Sequence, residues 1–249
     1  MFEMNEEIAR KVIDVVTPGL SEGLGKPIPG HMCVEAAVCY ALGLPHSDDP
    51  GCVESSVRSL KIALNDSNWS SNQARAKGMM RLAVAQLGSL GVVNGMRFSQ
   101  MVAEMTIRNI VPIALRSVKG IAANQLILLE NAAVRCETEG SVESARAAFA
   151  AADAYAFAAA DAYAYAAANA ANAARAAACA DVRAAAYAAA HAARAARAAR
   201  AANAARAAAC AAEDHDDKDS VLSLFSEEVV KILVDMKSPG SEYLYLTEK

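Results

Sequence analysis

Between Ser144 and Ala212 about two thirds of the residues are alanine, with no glycine or proline among them. Alanine is the strongest helix former and buries little surface, so the tract predicts helix with a thin core. Unbroken, it would reach on the order of 100 Å at ~1.5 Å per residue. Folding back into two or three helices is equally compatible, with Asn169 and Asn172 or Asp181-Val182 as turn positions. An eight-residue echo links Asp153-Ala-Tyr155-Ala-Phe157 to Asp161-Ala-Tyr163-Ala-Tyr165. His191, Arg194, Arg197, Arg200, Asn203 and Arg206 recur at every third position. Since a step of three turns about 300° on an α-helix, that basic series winds around the helix instead of forming a stripe. The plain reading of the tract is a solvated spacer. The functional reading is a tight hairpin or dimer stalk, in which facing alanines let backbones approach and Tyr155, Phe157, Tyr163, Tyr165 and Tyr187 act as anchors. The regularly spaced threonines expected of an ice-binding face are absent.

The larger apolar side chains lie outside the tract, in residues 1–138 and in the last thirty or so. Ile8, Val12, Ile13 and Val16 stand at helical spacing, and Thr17-Pro18-Gly19 ends that helix. Glycines and prolines make residues 19–30 irregular. Helices are then expected over His31–Leu42, Cys52–Leu64, a segment capped by Ser70 or Ser71 and broken at Gly88 and Gly91, a segment from about Ser99 with Pro112 as kink or boundary, and Ile121–Arg135. After the acidic break Glu213–Asp217, residues 220–236 form an amphipathic helix that needs a partner, and it is expected to return to the N-terminal part. Tyr243-Leu244-Tyr245-Leu246, whose aromatics alternate after Pro239-Gly240, is the one candidate for extended chain. No other stretch alternates with period two. The expected fold is all-α: a compact multi-helix domain at 1–140, an alanine-rich arm or hairpin at 141–212, and a C-terminal helix and tail at 213–249 packing on the core.

A net charge of −4 argues against the general positive field of sequence-independent nucleic-acid binding. No apolar run reaches the ~18 residues of a membrane span, and the acidic start Met1-Phe2-Glu3-Met4-Asn5-Glu6-Glu7 is unlike a signal peptide. The expected location is the cytoplasm. Cys33, Cys39, Cys52, Cys136, Cys179 and Cys210 show no CxxC pair and read as reduced, mostly buried thiols.

The richest chemical cluster is His31, Cys33 and Glu35, then Cys39, then His46, Asp48 and Cys52, with Asn65 and Asp66 beyond. His31 and Glu35 are four apart, which on a helix puts them on one face, and the loop carrying His46, Asp48 and Cys52 can fold over them. That is a conceivable divalent-metal constellation, or a cysteine nucleophile with His46 as base. The plainer alternative makes Cys33 and Cys39 core residues, Glu35 a local cap or pair, and Asp48 or Asp49 a turn or cap. HExxH, CxxC, a phosphate-binding glycine loop and GxSxG are all absent, so no metal or cofactor is assigned.

The pattern Cys33-x-Glu35-Ala36, Gly43-x-Pro45-His46-Ser47-Asp48-x-Pro50-x-Cys52-Val53 and Asn65-Asp66 resembles that of a group of uncharacterised bacterial and phage helical proteins. The resemblance covers mainly residues 31–66. It implies a bacterial or phage setting, treats the alanine-rich arm as a variable addition, and carries no activity. The leading functional expectation is a non-enzymatic protein that binds another protein, with self-association through the arm and inhibition of a host defence as versions of it. The alternatives are a metal- or cysteine-dependent enzyme centred on His31–Cys52, and a nucleic-acid binder using Arg194, Arg197, Arg200 and Arg206.

Overall fold

The computed structural model describes residues 4–118, 122–156 and 215–248. Phe157, Tyr163, Tyr165, Tyr187, Arg194, Arg197, Arg200 and Arg206 lie outside these residues, as does the side chain of Tyr155. Among the described residues the chain is all-α, with nine α-helices and no strand. None of these helices is long and apolar enough to cross a membrane.

Polar caps set most helix starts. Asn5 accepts the Ile8 amide at 3.0 Å and opens α1 (Glu6–Val16). Helix α2 (Val34–Ala41) begins three residues later than the spacing suggests, because the Cys33 sulfur accepts the Ala36 amide and acts as its cap. The nearly buried Glu54 carboxylate caps α3 (Ser55–Asn65), which leaves Cys52 in the preceding turn. Ser71 caps α4 (Asn72–Ala85) and Asn94 caps α5 (Gly95–Met105), four residues ahead of Ser99.

A π turn, Thr106–Ile110, joins α5 to α6 (Val111–Arg116). Its cause lies at Pro112, which has no N–H for the Arg108 carbonyl; the Val111 amide reaches back to Thr106 instead, and the extra residue is absorbed there. Helix α7 (Ala123–Glu139) runs four residues beyond Arg135 and ends at left-handed Gly140. Helix α8 (Val142–Ala156) then returns against α7. Ala145, Ala148 and Ala152 are fully buried beside Leu129, Ala133 and Cys136, so the described opening of the alanine tract is packed into the body.

Helix α9 (His215–Asp235) starts inside the acidic segment of the sequence. It packs on α4 and α5. Asp219 accepts hydrogen bonds from the Ser70 amide and hydroxyl, and Arg81 on α4 pairs with Glu227 at 3.0 Å. At Gly78 any side chain would strike the Trp69 ring and the Ser223 hydroxyl, so this glycine sets how closely α4 and α9 approach.

The C-terminal segment is not extended. Pro239–Thr247 is a 3₁₀ helix packed on α4 and α1. It closes local backbone bonds, as from the Ser241 amide to the Ser238 carbonyl at 2.9 Å. Gly240 donates to the Leu87 carbonyl at 2.8 Å and lies too close to the Val84 carbonyl for a side chain. Buried Leu244 and Leu246 still alternate with exposed Tyr245. Helix α4 is thus the axis of the molecule, contacted by α1, α2, α9 and the C-terminal turn.

Candidate functional site

The cluster expected at residues 31–66 folds around a charge pair that the sequence reading did not single out. Glu35 in the first turn of α2 and Lys61 on α3 are both 0% exposed, with Oε1 and Nζ 3.4 Å apart. Gln86, at the end of α4, donates from Nε2 to Glu35 Oε2 at 3.3 Å. Burial pushes the Glu35 carboxyl up from its ordinary range, opposed by Lys61, and pushes the Lys61 ammonium down, opposed by Glu35. Three helices therefore meet at one dry polar contact. The signal for Lys61 was present: with Val57, Leu60 and Leu64 it completes an i, i+3, i+4, i+7 stripe on the inward face of α3.

Asn65 and Asp66 brace the long loop before α2. Asn65 Oδ1 accepts the Val34 amide at 3.2 Å, and its Nδ2 donates to the Ser21 carbonyl and to Asp66 Oδ1, each at 2.9 Å. Asp66 in turn accepts the Gly23 amide at 2.8 Å. Arg75, 5% exposed, adds a tie no motif suggested, donating to the Asn65 carbonyl at 2.8 Å and the Leu20 carbonyl at 3.0 Å. Asn65, Asp66 and Arg75 thus tie the backbone of residues 20–34 to the corner between α3 and α4.

The remaining members of the cluster do not converge. His31 is exposed in the loop ahead of α2, not on a helical face with Glu35, because the helix does not begin until Val34. Asp48 is exposed, and its neighbour Asp49 pairs with Arg58 at 2.6 Å. His46 donates from Nε2 to the Gly25 carbonyl at 3.2 Å. Among the described residues no hydrogen bond joins His46 to Cys33, Cys39 or Cys52, and no three His, Cys, Asp or Glu side chains stand together as a metal-binding set. Burial raises the Cys33 and Cys52 thiols and pushes Cys39 up to about 11, so at neutral pH they are protonated, poor nucleophiles and poor ligands.

The conspicuous outward feature is α7. Leu129, Ala133 and Cys136 form its buried stripe. Leu126, 45% exposed, continues that stripe toward the N-terminus, and on other faces Ile127 is 60% exposed, Leu128 51% and Val134 44%. Beside its N-terminal half lies a shallow cleft of about 290 Å³ lined by Leu115, Arg116, Leu126, Ile127, Leu129 and Glu130. Arg116 there binds Glu130 and Glu137 at 2.7 and 2.5 Å, so the charged rim is already paired. A cleft this small sits at the lower edge of the roughly 300–1,000 Å³ typical of small-molecule sites. The spacing in residues 121–135 marks a helix, but nothing in it tells which side α6 and α8 cover. Compared with known proteins, the chain matches no family model, no curated protein and no solved structure.

Proposed function

We propose that this chain works by binding protein, without catalysis, and that α7 is its contact surface. The observation that carries the reading is the run of large apolar side chains on α7 that the core does not use, Ile127, Leu128 and Val134 foremost. Apolar residues gathered on one exposed helix are the ordinary mark of a helix-packing interface. The groups that would serve catalysis support the same reading from the other side. Glu35 is committed to Lys61 and Gln86, Asn65 and Asp66 hold loop backbone, and the thiols of Cys33, Cys39, Cys52 and Cys136 are buried.

The test is the native mass of the full chain purified from the cells that make it, beside Ile127→Asp/Val134→Asp. The expected result is a wild-type particle heavier than one chain and a variant of single-chain mass with an unchanged melting temperature. A wild type that is a bare single chain, indistinguishable from the variant, overturns the proposal.

A further inference from the structure

The outer face of α7 has an order that points to its occupant. Successive residues turn about 100° around an α-helix, so Ile127, Asn131, Val134 and Thr138, spaced four, three and four apart, form one stripe roughly opposite the buried Ala133. All four are exposed. Leu128 borders the stripe, and Asn124, also exposed, extends it by one turn. This alternation of three and four is the seam by which one helix packs along another.

The seam is nearly palindromic in chemistry. Asn131 lies at its centre, apolar Ile127 and Leu128 on one side, apolar Val134 on the other, and polar Asn124 and Thr138 at the ends. A pattern that reads alike in both directions is self-complementary under a two-fold axis, the arrangement of an isologous dimer. We infer that the partner on α7 is the α7 helix of a second copy of this chain, packed antiparallel about an axis at Asn131. The inference rests on the protein-binding reading above and names its partner.

In that arrangement Leu128 meets Val134 of the other copy, and Asn124 meets Thr138. The two Asn131 side chains face each other across the axis, where amide donor and acceptor can pair reciprocally. A central asparagine of this kind fixes register, since any slip would bury its amide against an apolar residue. Arg135, held by Glu139 at 2.8 Å, lays its aliphatic stem across Ile127 while its charge stays at the rim.

The experiment combines sedimentation equilibrium of the full chain with thiol cross-linking, using the wild type as the baseline for its native cysteines. The wild type is expected to be a dimer, and Val134→Asp, which sets a charge against Leu128 of the other copy, to raise its dissociation constant on the order of a hundredfold or more, as an unpaired charge placed in an apolar seam requires. Asn131→Cys should form a disulfide-linked dimer on mild oxidation. Asn124→Cys alone should not, and Asn124→Cys combined with Thr138→Cys should. A dimer whose dissociation ignores Val134→Asp, or that cross-links through Asn124→Cys but not Asn131→Cys, overturns the inference. A one-to-one complex with a different polypeptide, released by Val134→Asp, overturns self-pairing and leaves the protein-binding reading standing. A bare monomer overturns both, and if deleting residues 157–212 then speeds amide exchange along Ile127–Val134, the face is covered by the chain's own alanine tract.

Discussion

Lys61 has no route to water, so its charge is stable only while Glu35 answers it. Removing one member of a buried pair typically costs about 3–5 kcal/mol, because the other is left without compensation. Lys61→Met is close in length and leaves the carboxyl in the same dry contact, which can then persist only as the protonated acid. Its pKa in the folded chain is raised above the ordinary 4.5 by burial, and loss of the lysine removes the main influence holding it down. A raised carboxyl means that the folded form keeps a proton the unfolded chain releases. Stability is therefore greatest below about pH 4.5 and falls as pH rises toward the folded pKa, by about 1.4 kcal/mol per unit. Urea unfolding of Lys61→Met should show a smaller deficit against wild type at pH 5 than at pH 8. Glu35→Gln/Lys61→Met keeps an acceptor for Gln86 and should flatten the dependence. A Lys61→Met deficit that is the same at both pH values would sink this account of the pair.

At the scale of elements, α7 is held at its C-terminus from across the fold. Arg108, on the π turn, donates to the carbonyls of Glu137 and Thr138 at 2.8 Å and of Glu139 at 2.9 Å. Those are last-turn acceptors with no partner inside the helix, and a cation there also suits the helix dipole. Arg108→Ala should cost about 1–2 kcal/mol. It should also speed amide exchange at Gly140 and the last turn of α7 while leaving α4 unchanged; equal protection throughout α7 would show that Gly140 suffices as the stop. The device also shows where sequence reading stops. Pro112 was legible as a break, and the stripe Val57, Leu60, Leu64 as a buried face, because each follows from local geometry. Cys33 as a cap was not, since sulfur is an uncommon capping acceptor, and the boundary of α2, with it the separation of His31 from Glu35, followed from that one bond. Arg108, Arg75 and Gln86 act on partners 29 or more, up to 55 and 51 residues away, a reach that periodicity does not encode. The 31–66 cluster was therefore visible as a concentration of polar residues, while its role as a brace depended on tertiary contacts.

For the whole molecule, the decisive contact is the closure of α9 onto α4, which joins residues about 150 positions apart, as in Ser70 with Asp219, 149 residues away. Everything between must be ordered or looped out before α9 contributes, so folding should end, not begin, with this step. Phe225 is fully buried in the core cluster that spans α1 to α9, and the only tryptophan of the chain, Trp69, sits 5% exposed against Gly78 where α4 meets α9. Phe225→Ala removes a fully buried ring from α9 and should destabilise the protein by about 3–5 kcal/mol. Because one continuous apolar cluster includes α9 together with α7 and α8, the loss should be global. Trp69 fluorescence, which reports the α4–α9 junction, and far-ultraviolet circular dichroism, which reports all helices, should move to lower denaturant together and remain coincident. If tryptophan emission changes well before the helical signal, α9 docks as a separate unit on a body that is stable without it. The α7 surface would then belong to a part of the molecule that α9 does not hold in place.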